Sequence, residues 1–96
     1  MLELIVRPRA RSDLKGIWSY TFKKWGAQQA DRYLQDIDTE IRSLLKFPEI
    51  GTPCDSARLG YRALHVHRHL VFYRITPAQI EIVRVLHDAM DVQSPL

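Results

Sequence analysis

Tyr61-Arg62-Ala63-Leu64-His65-Val66-His67-Arg68-His69-Leu70-Val71-Phe72-Tyr73-Arg74-Ile75 is followed by Thr76-Pro77-Ala78-Gln79. The chain then resumes as Ile80-Glu81-Ile82-Val83-Arg84-Val85-Leu86-His87-Asp88-Ala89-Met90-Asp91. β-Branched and aromatic side chains dominate, and turn chemistry interrupts them near His67 to His69 and near Thr76 to Gln79. That pattern predicts three successive antiparallel strands. Pro77, which cannot donate to a ladder, marks the second turn. Arg62, Arg74 and Arg84 each stand inside an otherwise apolar strand, where a guanidinium is tolerated only if it is paired or reaches water. These arginines are the first functional clue.

Working outward, Leu2 to Arg7 alternate imperfectly and read as a short first strand, ended by Pro8, a residue suited to the start of a helix. Leu14, Ile17, Trp18, Thr21, Phe22 and Trp25 then follow a helical stripe that Gly26 terminates. This stripe is expected to be buried, with Trp18 and Trp25 in core and helix–helix packing. The opposite face carries Arg9, Arg11, Lys15, Lys23 and Lys24. A second stripe, Ala30, Leu34, Ile37, Ile41 and Leu44, is flanked by Tyr33 and Leu45 and closed by Pro48 and Gly51. So short a connection predicts an antiparallel helical hairpin. Neither helix can hide its stripe alone, so the pair should cover one face of the sheet. Pro48 to Gly60 reads as a loop containing Cys54, Asp55 and Arg58. The expected fold is α+β, in the order β-α-α-β-β-β, with the hairpin packed on an antiparallel sheet. The first strand joins that sheet at its edge or in its middle.

With 96 residues, 46% of them apolar, the chain has material for one domain with a modest core. The net charge of +3 and pI of about 9.3 favour an acidic partner only weakly. The distribution says more. Residues 1–25 carry six positive and two negative side chains, whereas residues 26–56 carry three positive and six negative. Cys54 is the only cysteine, so the fold relies on packing and suits a reducing cytosol. No apolar run approaches the roughly 18 residues of a membrane span, and no signal-peptide core precedes the first strand. A soluble cytoplasmic protein is expected.

His65, His67 and His69 would share one face of a continuous strand and could grip a transition metal there. The run straddles the expected turn, however, and no cysteine or carboxylate adjoins it, so solvent-facing histidines at a loop tip are the plainer reading. Arg62, Arg74, Arg84 and His87, with cations from the first helix, could line a basic face. In a metal-free ribonuclease such a set binds phosphate, stabilises the transition state and donates a proton. His87, or less effectively Tyr73, would have to serve as base. The competing reading pairs the arginines with Asp55, Glu81, Asp88 and Asp91. No nucleophile elbow, P-loop, Cys-His pair with a family signature or His/Glu metal motif is present.

Taken together, these residues resemble the ParE toxins of type II toxin–antitoxin modules, within the wider RelE/ParE superfamily. The matching pieces are Asp13-Leu14-x-x-Ile17-Trp18-x-Tyr20 and Trp25-Gly26-x-x-Gln29-Ala30-x-x-Tyr33-Leu34. After them come Pro48-x-Ile50-Gly51-x-x-Cys54-Asp55-x-x-Arg58-x-Gly60-Tyr61-Arg62, then His69-x-x-Phe72-Tyr73-Arg74 and Arg84-Val85-Leu86-His87-x-x-Met90-Asp91. The resemblance implies a non-catalytic poison, with no cofactor, that binds DNA gyrase and stalls replication. It also implies a ParD-type antitoxin that neutralises the toxin and represses their shared operon, so that operator DNA is met only through the antitoxin. On that reading Arg84, His87, Met90 and Asp91, with Arg62 and Arg74, contact the target. Arg9, Arg11, Lys15, Trp18, Phe22, Lys23 and Trp25 meet the antitoxin. RelE-type relatives instead cut mRNA on the ribosome with a basic and aromatic set that usually includes a tyrosine near the C-terminus. Residues 87–96 here hold no tyrosine, lysine or arginine. His67-Arg68 also stands where many members carry small residues. The alternatives are such an endoribonuclease, or a remnant that binds an antitoxin without toxicity.

Overall fold

Pro8 and Gly26 bound the first helix as expected, and the computed structural model, which describes residues 2–54 and 60–89, shows what each does. Helix α1 spans Pro8–Trp25, with proline in the first turn, where a missing N–H has no helical partner to lose. Gly26 donates its N–H to the Phe22 carbonyl at 2.9 Å with φ at +90°, a conformation that side chains disfavour. Helix α2, Ala27–Ser43, begins at the next residue. The helices fold back on each other through this one-residue joint, and Trp18 Nε1 donates to Asp31 Oδ1 across it at 2.9 Å.

The strands are β1 (Glu3–Val6), β2 (Thr52–Pro53), β3 (Tyr61–Val66), β4 (His69–Ile75) and β5 (Gln79–His87), ordered β1-β5-β4-β3-β2. The expected meander is β3-β4-β5, with both turns where the sequence places them. Thr76 and Gln79 close the second turn, the Thr76 N–H donating to the Gln79 carbonyl at 2.8 Å. Strand β1 takes the outer edge and runs parallel to β5, with Leu4 opposite Ile80 and Val6 opposite Ile82. The sheet is therefore mixed rather than antiparallel throughout. A parallel pair cannot be joined by a tight turn; here the helices and the loop after them carry the chain to the far edge of the sheet, and the meander brings it back to β5 beside β1. The two-residue β2 was not expected; it pairs with β3 through Thr52–Ala63 and Pro53–Arg62. Pro53 is admissible there because β2 is an edge strand.

The core lies between the helical hairpin and one sheet face. Ile37 and Ile41 of α2 and Leu44 just past its end, together with Ala10, meet Leu64, Val66, Val71, Tyr73, Ile80, Ile82 and Val85. The predicted second stripe is buried at Ala30, Ile37, Ile41 and Leu44 and partly so at Leu34. The α1 stripe is narrower than predicted: Ala10 and Thr21 are buried and Leu14 and Ile17 partly so, but Phe22 is 45% and Trp25 69% exposed. Phe22 follows Thr21 by one residue and so lies about 100° further round the helix, while Trp25 is the last residue before the joint. Trp25 is thus not a core residue; Trp18, partly buried, does serve helix–helix packing through Asp31. Among the described residues no helix is long and apolar enough to cross a membrane.

Candidate functional site

Strand β5 carries the chemistry because it outruns its neighbour. Its ladder with β1 ends at Ile82, whose carbonyl accepts the Arg7 N–H at 3.0 Å. On its other side Tyr73 faces Ile82 and Phe72 faces Arg84, which leaves Val83 as an extra residue. Beyond this irregularity, Arg84 reaches α1. Its Nε donates to Asp13 Oδ2 at 2.7 Å and its Nη2 to Oδ1 at 2.9 Å, while the Val85 N–H also donates to Oδ2 at 2.9 Å. The two side chains are only 13% and 14% exposed, and the Asp13 carboxylate holds the Arg84 pKa above its ordinary value. Asp13 is the only acid in α1 and sits four residues before the core-facing Ile17. That signal was in the sequence, but the partner reading did not use it.

The other two arginines are also engaged. Arg74 Nε donates to Glu81 Oε1 at 2.7 Å, as the pairing reading allowed, and Arg7 joins the same oxygen at 3.0 Å. Bonding from Arg7, then from Arg74, holds the Glu81 pKa below its ordinary value despite some desolvation. Arg62 donates to the carbonyls of Gly51 at 3.2 Å and Glu49 at 3.0 Å and so clamps the loop after α2. Asp88 serves none of these three; it meets His65 at 3.2 Å and Arg68 at 3.5 Å. Along β4, Arg74 lies five residues from His69, which pairs with His87. At about 3.4 Å per residue, the four described target residues, Arg62, Arg74, Arg84 and His87, do not form one cluster. His87 stands at one end of the meander, Arg84 midway along it opposite Phe72, and Arg62 and Arg74 towards the other end. Met90, Asp91, Asp55 and Arg58 lie outside the described residues.

The histidines divide at the hairpin tip. His67 adopts φ +52° in the turn, anchored to Asp36 of α2 by a 2.8 Å contact between Nε2 and Oδ2. His65 stays exposed, whereas His69 is partly buried, its Nδ1 sharing a 2.7 Å hydrogen bond with the Tyr33 hydroxyl of α2. The His87 ring meets His69 edge-on, with centroids 5.4 Å apart, and its Nδ1 accepts the Ala89 N–H at 3.1 Å. Burial first, then the charges of His87 and His67, lower the His69 pKa, with Asp88 opposing. Near the ordinary histidine pKa of about 6.5, the unfolded chain therefore binds the proton more readily. Stability should fall as pH drops from there towards the lowered folded value. Thermal unfolding at pH 7.5 and 5.5 should show a lower midpoint at 5.5, and His69→Gln should shrink the difference. An unchanged difference would remove His69 as its source.

Arg84 and His87 also line an open groove of about 430 Å³, with Gly16 and Tyr20 of α1 on the opposite wall. Tyr20 is 63% exposed beneath Lys24, whose Nζ lies 5.4 Å from the ring centre. The residues expected to meet an antitoxin occupy the rest of the α1 surface. Arg9, Arg11, Lys15, Lys23, Phe22 and Trp25 are exposed, and the Trp18 and Phe22 rings stack 5.1 Å apart and 7° from parallel. A second apolar surface was missed. Phe47, Ile50 and Ile75, all exposed, border a hollow of about 750 Å³ at the end of α2. Phe47 and Ile50 follow the end of the α2 stripe directly, which was the available signal.

A family model described as the ParE toxin of the type II toxin–antitoxin system parDE matches residues 4–92. Toxin ParE1 of Mycobacterium tuberculosis is 41% identical over 93 residues, spanning 96% of this chain and 95% of the relative. Toxin ParE1 of Caulobacter vibrioides is 38% identical over 88 residues, spanning 92% and 91%. Among solved structures, a chain from the chromosomal ParDE system of P. aeruginosa superposes with a TM-score of 0.81. It is 24% identical, with 91% of this chain and 96% of that one covered, a likeness of fold.

Proposed function

This chain is a member of the ParE toxin family of type II toxin–antitoxin systems, and we propose that it acts in the cytoplasm by binding DNA gyrase and blocking replication until a ParD-type antitoxin neutralises it. The observation that carries binding over bond cleavage is the Asp13–Arg84 pair. A ribonuclease needs a cation facing the scissile phosphate, but the Arg84 fork is directed at a carboxylate of its own chain. Arg84 and His87 are then contact residues on a rigid wall, with Met90 and Asp91 also meeting the target and Arg62 and Arg74 acting from elsewhere on the meander. The antitoxin lays an amphipathic segment over the α1 surface. Its acids meet Arg9, Arg11, Lys15 and Lys23, and its apolar anchors cover Trp18, Phe22 and Trp25. Large exposed apolar patches of this kind are ordinarily covered by a partner. Operator DNA is met only through that complex.

The adjacent imidazoles of His69 and His87 support a second reading, an mRNA endoribonuclease using His87 for proton transfer. Inducing the protein in a bacterial host and following transcript integrity, together with supercoiling by purified gyrase, separates the two. Lost supercoiling with intact mRNA is expected. Cleaved transcripts with untouched gyrase would establish the nuclease, and absent growth inhibition the non-toxic remnant. His87→Ala should leave the Tm within about 2 °C, since an exposed side chain contributes little, while lessening toxicity about tenfold, the scale of one lost contact. Full toxicity in that folded variant would place the target surface elsewhere.

A further inference from the structure

Gly16 occupies the interior of the 18-residue α1, where every residue type except proline makes a more stable helix. Nothing in the fold requires it. Its φ is not positive, it is exposed, and a Cβ built there meets nothing within 4 Å. It does have a consequence for shape. Ser12, Gly16 and Tyr20 follow one another at four-residue intervals along one ridge of α1, and all three line the groove walled by Arg84 and His87. The ridge is thus low, absent and high in turn, which notches the wall opposite β5. Beneath the notch lie the well-buried Thr21 and Val85. The charge around it is one-sided. Asp13, the acidic member of the lining, is held by Arg84, and Asp88, 3.4 Å from His87 at the groove's edge, is met by Arg68 at 3.5 Å, whereas the exposed Lys24 sits over Tyr20.

We infer that this notch seats an acidic segment of the toxin's protein target, one apolar side chain resting over Gly16 between Tyr20 and His87 while flanking carboxylates face Lys24. Without a Cβ, the partner's side chain reaches the helix backbone and the buried floor, contact that any other residue at position 16 would block. The surplus positive charge steers acidic segments to the groove and disfavours basic ones. The inference rests on the reading of the chain as a binding toxin and supplies the chemistry of its contact.

The test uses the full chain carrying Gly16→Ala or Gly16→Leu, with Ser19→Ala on the outer face of α1 as control. Gly16→Ala should raise the Tm by about 4–8 °C, because alanine is the better helix former. It should also weaken inhibition of purified gyrase about tenfold, and Gly16→Leu about a hundredfold, the scale of overpacking a close contact. Ser19→Ala should leave inhibition unchanged. If both Gly16 variants inhibit gyrase and growth as the unmodified chain does, the inference is wrong. If they kill undiminished but escape the antitoxin, the notch belongs to the antitoxin, and the inference is again wrong. If they lose killing although the unmodified chain leaves gyrase untouched, the notch stands and the choice of gyrase falls.

Discussion

Asp13→Ala should cost the fold about 3 kcal/mol, the scale of breaking a buried ion pair by removing one partner, and lower the Tm by more than about 12 °C in a domain of this size. The substitution strips Arg84 of both its bonds to Asp13 and orphans the Val85 N–H, in surroundings that leave the guanidinium only 13% exposed. Against a typical total stability of about 5–15 kcal/mol, that is a large fraction. Replacing both partners with apolar residues of similar volume, Asp13→Leu with Arg84→Met, should cost less than Asp13→Ala, because the buried guanidinium leaves together with the carboxylate that compensates it. Urea unfolding of the single and double variants measures this directly. A loss under about 0.5 kcal/mol for Asp13→Ala, the range of an ordinary surface change, would mean that the pair contributes little. The result also governs how toxicity data are read. Any Arg84 variant loses folded protein as well as a contact, so its phenotype says less about the target than those of His87 and Gly16.

The second large effect is expected at the loop after α2. The fully buried Tyr73 hydroxyl donates to the Pro48 carbonyl at 2.7 Å and accepts the Gly51 N–H at 2.9 Å. Tyr73→Phe strands both backbone groups and should cost about 2 kcal/mol. Gly51→Ala should cost about 3 kcal/mol, at the upper end for overpacking. Its Cβ would lie 2.6 Å from the Tyr73 hydroxyl oxygen, 2.7 Å from Cε1 and 3.0 Å from the Ala63 carbonyl. Neither the buried ring nor the strand backbone can give way cheaply. Arg62 grips the same loop through Gly51 and Glu49, so amide exchange at Gly51 should quicken in both variants. Gly51→Ala as stable as the unmodified chain would show that the loop can shift. Because Phe47 and Ile50 flank these anchors, loosening them should also disorder the second apolar surface.

The contrast between Arg74 and Arg84 shows how far the sequence could be read. Arg74 and Glu81 are seven residues apart on either side of a turn that Thr76 and Pro77 announce, so local chemistry brings them together. Asp13 and Arg84 are separated by 71 residues, and nothing near either announces the other. The same limit explains Trp25. A helical period identifies a stripe, but how far along it the burial continues depends on where the sheet ends. The parallel seat of β1 beside β5 and the pairing of β2 were also beyond local reading. Neither edge strand is long enough for its own pattern to name a partner.

Periodicity and turn chemistry in the chain alone determined the helical hairpin and the three-stranded meander, because each depends on residues a few positions apart, and the motifs along the chain carried the resemblance to a family. Packing of the two helices against the sheet decided the rest: α1 determines which cation is neutralised and that Gly16 faces Arg84 and His87 across a groove, and α2 which imidazole is covered. The physical reason is one of range. Hydrogen bonds and ion pairs act over a few ångströms, and only the assembled layers bring groups so distant along the chain within that reach.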